Sequence, residues 1–452
     1  LQSSFALKKI NLYAILLLSL FSCTKKDLEY TSGKADFSTT IAIGGNYLAG
    51  YQDGALSKEG QEKSMAALIA QQLGITRGNI SFHQALLPDG SGIGINAKYW
   101  EYNFQSPSTL GYKTDCKGVT AMSPVKQELS SLLADNYLKK IKVEALHDFS
   151  APFTSTADML RPSLGNNFYA ASKPFYARFA TNPGVSTLAA DAQNAKPTFV
   201  ISWLGMEDIF NYAAQGGAGI DLPSVDIFAA RLDSILKPMV DAGAAGVLGN
   251  IPDFRHFPYY TTVKWDNADI TQIQADSLND IFTLSGMTHI NFKQGRNGFV
   301  LQDPTAVGGY RQMEAGEYIT LSVPIDSMKC YKYGLIVNVV NNRYVLDKEE
   351  VKKLDQSIAA YNSVILRKAA EYGWAMADVH AWFKTTQQGI KVDGADINLD
   401  FVSGGFFSLD GYHPHQKGYE MLANEFIKAI NQTYDATVPK VFCKDCHGVK
   451  FP

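Results

Sequence analysis

Asp410 and His413 are the residues of this chain best placed for proton chemistry. The acid stands three residues before the imidazole in Asp410-Gly-Tyr-His413-Pro414, and Gly418-Tyr419 opens a closing helix soon after. A carboxylate and a histidine so close, at the start of an element, mark a site position. Glu207-Asp208 is a second acidic pair, at the end of a strand-like run, where acids also serve as helix caps. Glu207 and Asp410 together form a candidate acid and base for glycoside chemistry, although spacing in sequence does not set their separation. Cys443-Lys-Asp-Cys446-His447 has the C-x-x-C-H spacing of haem attachment, yet only five residues follow it. No sequence around it looks able to wrap a porphyrin. A disulfide or a pair of thiols in a tail is expected instead, and no cofactor. His256, His380 and His415 lack such a context and read as loop or structural residues, and Asp253 and Asp378 as loop caps.

The chain that must position these groups has 452 residues, 41 Lys+Arg against 44 Asp+Glu, and a formal charge of −3. Its 46% hydrophobic and 19% charged residues exclude a disordered, collagen-like or multi-span membrane chain. Without a basic excess, nucleic acid is not an expected partner. Lys8 and Lys9 precede an apolar stretch from Leu12 to Phe21, too short to span a bilayer. Leu20-Phe21-Ser22-Cys23 resembles a bacterial lipobox, in which the cysteine becomes diacylated. Thr24, rather than Asp, follows it, which fits outer-membrane sorting. Residues 1–22 thus read as a lipoprotein signal and residues 23–37 as a tether. The lipid bilayer is the expected partner, and the cell envelope, on its periplasmic or surface face, the expected location. With Cys23 lipidated, Cys116, Cys330, Cys443 and Cys446 remain, and they allow three pairings.

Between tether and tail the pattern alternates strand and helix. Phe37 to Ile43, Pro197 to Leu204, Ala245 to Ile251 and Trp374 to Val379 read as strands. Ser64 to Leu73, stopped by Gly74, reads as a helix. So do the stripe Val225, Phe228, Leu232, Ile235 and Met239, the run from Asp347 to about Ala370, and Gly418 to Ile430. Such alternation predicts a three-layer α/β/α domain over residues 38–432, with a parallel sheet of about five strands. Residues 76–140 and 254–345 break the rhythm and read as insertions, the second as a small cap over the site. Residues 433–452 form the tail.

Four blocks then resemble the GDSL, or SGNH, hydrolase family. Gly44-Gly-Asn-Tyr-Leu-Ala-Gly-Tyr-Gln-Asp-Gly54 after the first strand is similar to its Gly-Asp-Ser-Leu block. His147-Asp-Phe-Ser-Ala-Pro-Phe153 falls at its Asn-x-x-x-x-Pro-Gly loop, and Leu204-Gly-Met-Glu-Asp208 resembles its Gly-x-Asn-Asp block. Asp410-Gly-Tyr-His413 is similar to its Asp-x-x-His block, and Gly249-Asn-Ile-Pro252-Asp253 resembles a strand end seen in many members. The resemblance spans residues 38–430 and implies a flavodoxin-like sheet, ester hydrolysis of acylated lipid or glycan, and a serine activated by His413, with Asp410 orienting the ring. It also implies an oxyanion hole built from the serine N–H, the Gly N–H and the Asn amide.

The chain departs from that pattern at three positions. Asn46 stands where the serine belongs, and an amide cannot perform the attack. Phe153 replaces the Gly, and Glu207 replaces the Asn, placing a carboxylate where negative charge develops. A one-residue slip brings Tyr47 to the nucleophile position, and Ser150, Thr154 and Ser155 are the other hydroxyls nearby. Two readings follow: an esterase with an altered nucleophile, or a non-catalytic binding lipoprotein that keeps the cleft for an acylated glycan, a lipid or an envelope partner. Either reading requires the anchor, so the native protein should begin at Cys23 and partition into membranes through two or more acyl chains. Mass spectrometry of the native N-terminus checks this; an intact bond between residues 22 and 23, with no lipid attached, would refute it.

Overall fold

A computed structural model describes residues 29–452 apart from 79, 99–100, 167–172 and 337. Cys23 and the signal segment lie outside the described residues. Five strands form the central sheet: β1 (Thr40–Gly44), β2 (Asp148–Ser150), β3 (Phe199–Trp203), β4 (Ala245–Gly249) and β5 (Ala375–Ala377). All pair in parallel, in the order β5-β4-β3-β1-β2. Every residue of β1, β2 and β3 is buried, and β1 and β3 accordingly carry almost unbroken apolar runs rather than alternation. The order doubles back between β1 and β3. Loops leaving those two strands diverge and open a crevice at their carboxyl ends.

The main helices are α1 (Met65–Ile75), α2 (Leu188–Asn194), α3 (Met206–Ala213), α4 (Val225–Asp241), α5 (Lys348–Tyr372) and α6 (Gln416–Tyr434). α1 packs with α6 in one layer, while α2, α4 and α5 pack together in another. The Tyr434 hydroxyl at the end of α6 donates to the Gly246 carbonyl and accepts from its N–H, which pins that helix to β4. Asp347 caps α5 as expected, and Glu350 completes a capping box with it. Leu354, Ile358, Tyr361 and Ile365 then face the core. No helix among the described residues is long and apolar enough to cross a membrane.

Three local expectations are corrected. α1 runs through Gly74 to Ile75, because a single glycine weakens a helix without ending it. The strand expected over Trp374 to Val379 is only Ala375–Ala377, since Asp378 already caps the next helix, Val379–Thr386. β2 falls in the segment read as a loop. It is three residues long, two of them polar, and exists because it pairs with Ala42, Ile43 and Gly44 of β1.

The first insertion contains the hairpins Gly94–Lys98 with Glu101–Gln105 and Thr109–Thr114 with Thr120–Val125. The second has apolar clusters of its own, one around Phe299, Leu301 and Ile319 and one around Leu278, Phe282 and Phe292. Its residues reach the Asp410–His413 turn: Tyr259 N–H donates to the Gly411 carbonyl, and Leu321 N–H donates to the Tyr259 carbonyl. Of the three possible cysteine pairings, the structure has Cys116–Cys330, which joins the two insertions, and Cys443–Cys446 within the tail. The C-x-x-C sulfurs are therefore bonded to each other, as the disulfide reading expected. Asp347→Ala should cost about 1 kcal/mol through the lost cap. Leu354→Ala should cost about 2–5 kcal/mol through a core cavity. Urea unfolding measures both, and equal losses would contradict this account of α5.

Candidate functional site

The site begins where β1 ends. Asn46 is the first residue of a single helical turn, Asn46–Ala49, and is fully buried. Gly45 before it has no room for a side chain, because a Cβ there would lie 1.9 Å from a Glu207 carboxyl oxygen. Glu207 reaches that point from the first turn of α3, just after Gly205, whose φ of +96° turns the chain sharply out of β3. The Asn46 N–H donates to Glu207 Oε1 at 2.7 Å. The Asn46 side-chain oxygen, in turn, accepts the Phe153 N–H at 2.7 Å.

Phe153 has a φ of +62°, a left-handed conformation that glycine adopts freely and a phenylalanine rarely does. Its N–H is thereby aimed inward, while its ring packs on Tyr51 with centroids 5.0 Å apart. Asp208 holds the same loop by accepting the N–H and the hydroxyl of Thr156, so its role is not that of a simple helix cap. The two backbone donors that the family resemblance places in an oxyanion hole are therefore present. They are occupied by the chain's own side chains rather than missing, which corrects the expectation from residue types.

Across from this chain of bonds stands the Asp410–His413 pair. Asp410 Oδ2 accepts from His413 Nδ1 at 2.9 Å and from the Gly54 N–H at 2.7 Å. Its Oδ1 accepts the N–H groups of Tyr412 and His413. Burial opposes the charge, but His413 and these donors hold the carboxyl at about 2, so it stays ionised. With both oxygens engaged, Asp410 has no capacity left as the base of a glycosidase. His413 is buried, and its Nε2 has no protein partner. The rings of Tyr51, Tyr412, Tyr47 and Phe210 surround it, with centroids 4.9, 4.9, 5.7 and 6.3 Å away. Tyr51 touches both Phe153 and His413 and so bridges the two halves of the site.

None of the substitute hydroxyls is bonded to His413. The Tyr47 hydroxyl donates to the Tyr412 carbonyl at 2.6 Å, and burial pushes it well above the ordinary phenol range. Ser150 Oγ is buried without a partner, Thr154 Oγ1 donates to the Pro152 carbonyl, and Ser155 caps the short helix Thr156–Met159. Glu207 also differs from expectation. Burial pushes its carboxyl up to about 8, against which the Asn46 N–H is too little, so near neutral pH it is mostly uncharged. His415, Asp253 and Asp378 act as caps, and the His380 backbone N–H donates to Asn250 Oδ1. Among the described residues, no group of three or more His, Cys, Asp or Glu is placed to hold a metal ion.

The turn Tyr51-Gln-Asp-Gly54 is the part of the site that residue types did not single out. Besides the Gly54 bond to Asp410, the Asp53 N–H donates to Ser408 Oγ, and Asp53 Oδ1 accepts the Leu409 N–H. The Asp-Gly step was its only signal, and it marks a turn without saying what the turn holds. Burial raises Asp53 to about 6.

A pH test follows from Glu207. Unfolded, it ionises near 4.5; folded, it ionises near 8. Between those values the unfolded chain loses the proton first, so wild-type stability should fall as pH rises through that window. The slope is at most about 1.4 kcal/mol per pH unit. Glu207→Gln should remove this slope while keeping the acceptor for Asn46. Urea titrations at pH 5 and pH 8 check it, and parallel losses in both proteins would contradict a buried neutral carboxyl.

No family model and no curated protein matches this chain. Among solved structures it is similar to LAE5, an alpha/beta hydrolase enzyme from the metagenome of Lake Arreo, Spain, covering 88% of this chain and 96% of that one. Identity is 11% and the TM-score 0.34, too remote a likeness to bear on function.

Proposed function

We propose that this chain is a catalytically silent domain of the SGNH type, carried on an outer-membrane lipoprotein anchored through Cys23, and that its role is binding at the cell envelope. One observation carries the silence: the bonds from Asn46 to Glu207 and from Phe153 to Asn46 use up both inward N–H donors. A tetrahedral oxyanion would have to displace a buried carboxyl and a buried amide to reach them, and losing one such donor alone costs about 3–4 kcal/mol. The sheet order and the four ordered blocks support the family reading. The missing hydroxyl at Asn46 and the aromatic enclosure of His413 support inactivity.

The esterase reading has one observation in its favour. The Asp410–His413 pair is intact, with Nε2 buried and unpartnered, as a base awaiting a hydroxyl would be. Turnover separates the two. In the silent reading, wild type hydrolyses short acyl esters and acetylated glycans no faster than His413→Ala, and a fluorophosphonate probe labels neither. Asn46→Ser alone should restore little, because Glu207 still occupies the remaining N–H. Adding Glu207→Asn and Phe153→Gly should restore more than the product of the single effects, since these groups act as a unit. His413-dependent turnover in the wild type would reject silence, and the labelled residue would identify the nucleophile.

A further inference from the structure

The rings that enclose His413 fill the crevice, so a binding role needs another opening. The second insertion provides one, a cavity of about 750 Å³, within the range of small-molecule sites. Its long wall is the helix Gln272–Leu284, which has two apolar faces. Ala275, Leu278 and Phe282 are buried inside the insertion, as in an ordinary amphipathic helix. Ile273 and Ile281 line the cavity from another face, yet stand 79% and 40% exposed, and Leu284 continues that stripe at 89%. Apolar side chains scattered singly over a surface need no explanation, but a stripe of them bordering a cavity marks an interaction site.

Shape and charge narrow the class of ligand. Ile325, Met328 and Leu335 stand in the facing wall, so both long walls are apolar. From Ile273 to Leu284 the stripe runs about 17 Å at 1.5 Å per residue. That length and narrowness suit an extended alkyl chain. The rim supplies charge. Lys329 precedes Cys330, the Cys116–Cys330 bond brings Lys117 of the first insertion to the same cavity, and Lys332 is a third lysine there. Among the described residues none of these three is in an ion pair, unlike neighbouring Lys113, which is paired with Asp326. Asp115 attracts Lys117 and Lys329 without an ion-pair contact, and Asp269 is the acid of the lining itself. Three lysines against these two acids leave an excess of one positive charge, which matches one carboxylate.

We infer that this cavity binds a long-chain fatty acid, with the alkyl chain against Ile273 and Ile281 and the carboxylate at Lys117 and Lys329. The inference rests on the binding role proposed above and names a ligand for it. The two fail separately, since ester turnover decides silence and fatty-acid binding decides this cavity.

The full mature polypeptide from residue 24, prepared without its lipid, contains every described residue and needs no detergent that would compete for the cavity. cis-Parinarate, a fatty acid that fluoresces on leaving water, should bind it saturably, and palmitate should displace the probe. Myristate and laurate should compete about fourfold less well for each methylene removed. Ile273→Glu combined with Ile281→Glu should abolish binding, and both side chains are exposed enough for the fold to survive the change. Lys117→Gln combined with Lys329→Gln should weaken palmitate about fivefold and leave the neutral 1-monolauroylglycerol unchanged. Leu132→Ser, at an exposed apolar residue of the first insertion, should bind as wild type does. Lack of saturable parinarate binding, or undiminished binding after Ile273→Glu and Ile281→Glu, would overturn the inference. So would an equal loss in Leu132→Ser, or palmitate binding indifferent to the two lysine changes.

Discussion

Two buried carboxyl groups face each other's neighbourhoods in this protein, and the number of N–H donors around each decides what the site is. Asp410 collects four donors, one of them the imidazole of His413, and remains ionised with a pKa of about 2 despite burial. Glu207, more deeply buried, receives the N–H of Asn46 and is pushed up to about 8. Burial raises both; Asp410 is drawn down by the charge of His413 and by its donors, whereas Glu207 has Asp208 beside it and fewer donors. The result is one fixed anion holding a histidine and one mostly neutral acid lodged where an anion would otherwise be received.

Asp410 also explains how the ends of the domain come together. Gly54 follows the first strand, and Asp410 precedes the last helix, so their hydrogen bond spans 356 residues of sequence. Asp53 repeats the linkage through Ser408 and Leu409. The crevice at the divergence of β1 and β3 is where such a junction forms in an open parallel sheet. Aromatic rings fill it. Tyr47, Tyr51, Phe210 and Tyr412 surround His413, so the base-like nitrogen sits in an apolar enclosure instead of an open cleft. The second insertion presses Tyr259 and Leu321 against the same turn, and the Cys116–Cys330 bond ties that insertion to the first.

How far the site was legible depends on the range of each interaction. Asp410 and His413 are three residues apart, and their pairing could be read directly from spacing. The capping of α5 by Asp347 and the buried runs of β1, β3 and β4 are likewise local, because burial and capping leave a signature within one element. The replacement of serine by Asn46 was equally plain. The consequence of that replacement was not. Residue types suggested an oxyanion hole stripped of donors and opposed by a charged Glu207, whereas the donors persist and the carboxyl is mostly neutral.

By itself, then, the sequence determined the alternation of strands and helices, the position of the acid–histidine pair and the lack of a serine before it. Each follows from side-chain type and short-range periodicity. Only the tertiary structure decided that Asp148–Ser150 is a strand, because three residues gain an extended conformation from pairing with β1. It alone decided which cysteines join, since proximity between residues 116 and 330 is a property of the packed insertions. Above all it decided the state of Glu207, Asn46 and Phe153. A buried carboxyl's charge and a backbone N–H's partner depend on what lies within about 3 Å, and residues 46, 153 and 207 acquire that closeness only once the sheet has assembled.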